Sequence, residues 1–178
     1  IGLQAVYTNF TVVYLAQELG YGLEEAGASL AVATLVAAPG RIVWGWVSSV
    51  FISPRILLVG LAVGMSIGAV GMGFYDRTWG HLAVMLPLIC ISATALSWHG
   101  VLLSEVARQS PPSEVGRLTG GVLAFGTAGQ IAFPLLFWLG YLLGDYRGAY
   151  IIIAVPAVFA ALFLLRAPIE AVDSQSLG

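Results

Sequence analysis

Gln4, Tyr7, Thr8, Thr11, Tyr14 and Glu18 recur at spacings of three and four residues within a stretch that is otherwise apolar. On a helix this pattern confines them to about one third of the circumference. Amides, hydroxyls and one carboxylate on a single stripe have the chemistry of hydrogen bonding, either to a neighbouring helix or to a polar solute. A second set follows from Cys90 to Ser104. Cys90, Thr94, Ser97 and Ser104 share one helical face with Trp98 beside it, while Ser92 and His99 share the opposite one. His99 has the side chain for moving a proton near neutral pH. Gln130 stands alone in an apolar run broken by Gly126, Gly129 and Pro134, the last a residue that frees a backbone carbonyl and favours a kink there.

These residues do not assemble the common catalytic constellations. Ser97 and His99 lie two residues apart and point differently, so they do not form the nucleophile and base of an intramembrane serine protease. His81 and His99 are separated by about 27 Å along one helical stretch, which excludes bis-histidine haem ligation between facing helices. No glycine-rich phosphate loop and no clustered metal ligands appear. The reading is of a protein that is not an enzyme and uses no cofactor and no metal. Cys90 alone cannot form an internal disulfide.

The elements that carry these side chains are membrane elements. Of 178 residues, 59% are hydrophobic and 9% charged, and the mean hydropathy is +0.93. A soluble domain of this size cannot hide that much apolar surface. Seven arginines, no lysine and nine acidic residues give a net charge of −2 without a basic run, which argues against nucleic acid as a partner. Apolar runs near the bilayer-crossing length of about 20 residues are placed approximately at 1–16, 26–47, 56–74, 82–103, 118–143 and 149–165, followed by a polar tail at 167–178. The runs are continuously apolar and not alternating, so helices are favoured over barrel strands. The expected fold is an all-α, polytopic bundle of six transmembrane helices. The chain opens inside an apolar run without an initiator Met, as a chain cut inside a helix would.

Charges in the breaks orient the bundle. Arg41, Arg55, Arg108, Arg117 and Arg166 fall on or near one side, and Arg77 and Arg147 on the other. The arginine-rich side is expected to be cytoplasmic, with Glu18, Glu24 and Glu25 outside and the C-terminus inside, in a bacterial inner membrane. Arg41 lies six residues before the expected inner end of its helix, about 9 Å along the axis. It requires relief by snorkelling or by facing a hydrated path, and has a gating or a solute-contacting role. Glu105 and Arg108, with Glu114 and Arg117 across the break, are spaced for ion pairs at the cytoplasmic mouth or stand as solvated loop charges.

Three stretches in order, GRIVWGWVS, WHGVLLSEVARQSPPSEVGRLTGG and GQIAFPLLFWLGYLLGDYRGAY, resemble the C-terminal six helices of major facilitator superfamily transporters. The resemblance covers essentially the whole chain. It implies a missing N-terminal six-helix half, a small-molecule solute as partner, a lipid bilayer as solvent, and a path lined by the first and fourth helices of each half. On it, Gln4, Tyr7, Thr8, Thr11, Tyr14, Thr94, Ser97, Trp98 and Gln130 become candidates for the path. Arg41, Gly45, Arg55, Glu105, Arg108, Glu114 and Arg117 become candidates for a cytoplasmic charge network or gate. The family's signature loop, approximately G-x-L-A-D-R-x-G-R-R, aligns onto 45–54. Gly45, Val47 and Ser48 fit, but Ser49, Val50 and Ile52 stand where the pattern has Asp, Arg and Gly. Gly45 is expected to let two helices approach closely. The implied activity is secondary transport by alternating access, with proton coupling as an option. A homodimeric half-size carrier and a non-transporting bundle with a structural or assembly role are the alternatives.

Overall fold

The structure, a computed structural model, describes residues 1–76 and 78–166. Arg77 and the polar tail 167–178, both used in the sequence reading, lie outside the described residues. Seven helices follow in order: α1 (Gly2–Gln17), α2 (Leu23–Leu35), α3 (Ala37–Val50), α4 (Pro54–Gly73), α5 (His81–Ala95), α6 (His99–Gln109) and α7 (Val115–Arg166). No strand occurs among the described residues. Four helical stretches are long and apolar enough to cross a membrane: Leu23–Val50, Pro54–Gly73, His81–Gln109 and Val115–Arg166. The chain is a multi-pass, all-α membrane bundle.

Straight, the 52 residues of α7 would extend about 78 Å, more than twice the roughly 30 Å hydrocarbon core. The helix therefore folds back. Gly144 and Asp145 leave helical geometry, Asp145 at φ 55. Beyond them Phe137 meets Tyr150 with ring centroids 5.1 Å apart, a separation that a continuous helix cannot produce. The limbs 115–143 and 146–166 are thus an antiparallel hairpin. They close on glycine: a Cβ at Gly140 would lie 2.7 Å from the Ala149 Cα, and one at Gly148 would lie 2.7 Å from the Gly140 carbonyl oxygen. With α1, α2–α3, α4 and α5–α6, the two limbs make six helical segments among the described residues.

Helix ends follow local chemistry. Gly20 at φ +73 supplies the left-handed residue after α1. Ser53 caps α4, its hydroxyl accepting from the Ile56 amide, with Pro54 at the first helical position. Glu24 and Glu25 occupy the first turn of α2, where the helix dipole favours negative charge. The expected break at 104–117 is shorter than the charges suggested. α6 continues to Gln109 and stops before Pro111 and Pro112.

Two passes are broken within the membrane. Between α2 and α3 the break at Val36 stands three residues before Pro39, whose ring removes the amide that would bond Leu35. Between α5 and α6 the chain turns at 96–98. The breaks face one another. The Ser97 hydroxyl donates to the Ala37 carbonyl at 3.1 Å, and the Trp44 indole donates to the Ala93 carbonyl at 2.7 Å. Pro134 and Pro156, by contrast, sit in α7 with no departure from helical φ/ψ at either.

The core lies where α1, α4, α5 and the α7 hairpin meet. Gly64 and Gly68 of α4 let Thr94 and Ile91 of α5 approach to within a methyl group's distance. Tyr14 packs among Tyr146, Tyr150 and Tyr75 at centroid distances of 5.1, 5.0 and 6.2 Å. α1 runs parallel to the limb 115–143, with Ile1 against Gly126, Gly2 against Phe133, and Phe10 against Phe137. The large apolar side chains left outside, such as Ile42, Leu82, Phe125 and Phe163, are compatible with hydrocarbon as solvent.

Candidate functional site

The stripe on α1 divides between the inside and the outside of the bundle. Tyr7, Thr11 and Tyr14 are 1%, 0% and 3% exposed. The Tyr7 hydroxyl lies 2.7 Å from the Ser92 hydroxyl and donates to the Leu88 carbonyl. Tyr14 donates to the Met72 carbonyl at 2.6 Å. The Thr11 hydroxyl faces that of Tyr150 in the core without completing a hydrogen bond. These three residues hold α1 to α4, α5 and α7 and do not present their polar atoms to an open face. Thr8 is exposed and bonds back to the Gln4 and Ala5 carbonyls. Gln4 is half-buried, its Oε1 enclosed without a partner. Asn9, which sequence spacing sets apart from the stripe, is exposed beside Thr8. The open polar face of α1 therefore carries Thr8 and Asn9.

On the broken fourth pass, Thr94 bonds the Cys90 carbonyl and packs on Gly64, and Ser97 is fully buried against Ala37 and Gly40. Both side chains are buried inside this bundle. Trp98 and His99 are half-buried and stack at 4.2 Å. The Trp98 Nε1 and the His99 Nδ1 are both enclosed without a hydrogen-bond partner. Gln130 is exposed on the limb 115–143. The Cys90 thiol donates to the Gly64 carbonyl at 3.3 Å.

The charges sort into anchors and one exception. Arg55 donates to the carbonyls of Leu164 and Leu165 at 2.6 and 3.1 Å, tying the start of α4 to the last turn of α7. Glu105 pairs with Arg108 at 2.7 Å and Glu114 with Arg117 at 2.8 Å, each three residues apart on its own side of the loop. The loop is not bridged by these pairs, because i,i+3 neighbours on one helix meet before residues across a turn can. Among the described residues nothing lies within 4 Å of the Gly45 Cβ position, and the close helix approaches occur on α4 and in the α7 hairpin.

Arg41 is the exception. It is exposed on α3, and its Nε donates to the Leu96 carbonyl at the α5–α6 break, 3.1 Å away. No carboxylate pairs with it among the described residues. Because α3 extends to Val50, Arg41 stands nine residues, about 13.5 Å, from that end.

At the opposite end of the bundle, a cavity of about 440 Å3 is lined by Tyr14, Glu18, Asp76, Asp145, Tyr146 and Arg147, among others. Hydrogen bonds from the Thr78 amide and hydroxyl hold the Asp76 carboxyl below its ordinary range. Arg147 lies over the Phe74 ring at 4.2 Å. No group of three or more metal-ligating side chains occurs among the described residues.

The described helices form a multi-pass membrane bundle with its core tyrosines facing inward. The chain belongs to the Major Facilitator Superfamily, whose sequence model matches residues 1–176. It is similar to the probable nitrate/nitrite transporter NarK2 of Mycobacterium tuberculosis, in two strains, at 25% identity over 174 residues, covering 96% of this chain and 43% of that protein. It is also similar to the probable galactarate/D-glucarate transporter GudP of Bacillus subtilis, at 28% identity, covering 90% of this chain and 36% of that protein. The chain thus spans about two fifths of the length of these relatives. No solved structure matches the chain.

Proposed function

We propose that this chain is the C-terminal half of a secondary carrier that moves a small anion by alternating access, and that Arg41 is the group that receives the anion. The observation that carries the reading is Arg41 itself, a guanidinium within a membrane-length helical stretch, exposed and without a carboxylate partner among the described residues. Intramembrane charges are costly and mark solute or ion pathways. The relatives' names fit, since nitrate, nitrite, galactarate and glucarate are all anions. Arg forks onto carboxylates and oxyanions in two hydrogen bonds, which suits it to any of them. A second half opposite the open face would complete the path and let the two halves rock about the site. The arginine-rich end, where Arg55 meets the last turn of α7, is the cytoplasmic one on this reading.

The test is uptake into liposomes by the complete carrier, comparing D-glucarate and nitrate with glucitol, which keeps the carbon chain of glucarate but has no charge. Anion uptake without glucitol uptake is the expected result, and equal uptake of glucitol would overturn the reading. On the path itself, Asn9→Leu is expected to reduce uptake about tenfold or more, the effect of one lost hydrogen bond to a charged solute. Thr11→Val, inside the bundle, should leave uptake near wild type at matched expression. Greater loss at Thr11 than at Asn9 would move the path to the buried stripe.

A further inference from the structure

We propose that Glu25, His81 and Met85 form a binding site for a divalent transition metal, Cu2+ above all, at the end of the bundle opposite Arg55. The site does not involve Arg41 and stands apart from the anion reading. The three side chains meet on a cavity of about 320 Å3 between the starts of α2 and α5, whose remaining walls are Ala28, Ser29 and Val32. His81 and Met85 are four residues apart and so share one face of α5. Glu25 reaches the same cavity from the first turn of α2. The His81 Nδ1 lies 4.0 Å from the Glu25 Oε1. Tyr21 stacks on the imidazole with ring centroids 5.9 Å apart, which fixes the ring beside the carboxylate. Both groups are half-exposed, leaving a hydrated ion a way in, whereas Met85 is buried at the back.

The spacing suits an ion better than it suits the pair alone. At 4.0 Å the nitrogen and the oxygen are too far apart for a hydrogen bond. A first-row ion such as Zn2+ holds imidazole nitrogen and carboxylate oxygen at about 2.0–2.2 Å, so the two donors need to close by on the order of half an ångström. Rotation of either half-exposed side chain supplies that. The donor set then selects among ions. Imidazole suits copper, zinc and nickel, and a thioether is a soft donor, so the oxygen-seeking ions Ca2+ and Mg2+ are disfavoured. Cu2+ stands highest in the affinity order and accepts a thioether as a weak axial ligand. Counting His, Cys, Asp and Glu alone, no three converge among the described residues; the methionine sulfur is the third donor here, and water completes the shell. Glu24 and Glu25 offset the partial positive charge of the α2 start. A bound ion ties α2 to α5 and thereby stabilises the bundle.

The test is calorimetric titration of Cu2+ into the complete, tag-free carrier, with the thermal unfolding midpoint measured with and without the ion. Loss of an outer-shell partner already costs about 10- to 100-fold in metal affinity, so His81→Ala and Glu25→Gln, which remove ligands, should each weaken one Cu2+ site about tenfold or more. Both should also lose the rise in midpoint that Cu2+ gives the wild type. Met85→Leu, close in volume, should weaken Cu2+ and leave Ni2+ unchanged. Cys90→Ser and His99→Gln, which remove the thiol and the other imidazole, should bind Cu2+ as the wild type does. Wild-type affinity and midpoint shift in His81→Ala overturn the site. A loss in His81→Ala with none in Glu25→Gln reduces it to a lone surface histidine and overturns it equally. Full Cu2+ affinity in Met85→Leu overturns the thioether's part and with it the preference for copper.

Discussion

Gly140→Leu and Gly148→Leu are each expected to abolish recovery of a folded, monodisperse bundle, while Gly121→Leu is not. The difference lies in what a side chain would meet. At Gly140 even a Cβ lies within about a bond length of contact with backbone, 2.7 Å from the Ala149 Cα and 3.0 Å from the Ala149 nitrogen and the Gly148 oxygen. Backbone cannot rotate away as a side chain can. Ordinary overpacking costs about 1–3 kcal/mol after side chains shift, and here the obstacle is the other limb of the hairpin, so the limbs must part. Parting them opens the contacts of Phe137 with Tyr146 and Tyr150, and through Tyr150 those with Tyr14. At Gly121 nothing lies within 4 Å. Size-exclusion profiles of fluorescently tagged variants in mild detergent would decide the matter. A normal peak for Gly140→Leu would mean that the hairpin does not close on these glycines.

The apolar runs were legible because run length is a property of sequence alone. The reversal in α7 was also marked in advance, since GDYRG interrupts an otherwise unbroken apolar stretch. The breaks inside passes were less so. Pro39 was visible and sufficient to interrupt its helix at Val36, yet a window that sums hydropathy from 26 to 47 passes over it. The turn at 96–98 has no proline to announce it, and its stabilising contact, Ser97 to Ala37, joins residues 60 apart in sequence.

Side-chain direction was the least legible part of the site. Helical periodicity groups Tyr7, Thr11 and Tyr14 correctly on one face of α1, but it cannot say what that face meets. Tyrosine has an apolar body, so burying Tyr7 and Tyr14 with each hydroxyl bonded to a carbonyl satisfies both ends of the residue. Asn9 has no such body, and it is the residue that stays outside. Size and polarity together, rather than polarity alone, would have placed Asn9 on the open face. The loop charges carry a similar lesson. Spacing of three residues in Glu105–Arg108 and Glu114–Arg117 already favours local pairs, worth little in water, over a network spanning the mouth.

Arg41→Gln is expected to abolish anion transport while leaving the bundle as stable as the wild type, or more so. The guanidinium spends one donor on Leu96, and its remaining donors are without a carboxylate among the described residues. A charged group inside a membrane helix costs up to about 2.5–3.5 kcal/mol on insertion scales, against about 1.5–3 kcal/mol for a hydrogen bond made by a charged donor. Structure alone therefore gains little or nothing from Arg41. A glutamine amide can donate to the same carbonyl without the charge. For the anion the balance is reversed. Removing one partner of a close charge pair costs about 2–5 kcal/mol, a loss of affinity on the order of 30- to 3,000-fold. Arg41→Lys keeps the charge but not the two-pronged donor geometry, so it should bind more weakly than wild type and better than the glutamine variant. Thermal unfolding and anion binding measured on the same preparations separate the roles. A binding defect with an unchanged or raised midpoint assigns Arg41 to the anion. A lowered midpoint with normal binding assigns it to the α3 contact with the α5–α6 break.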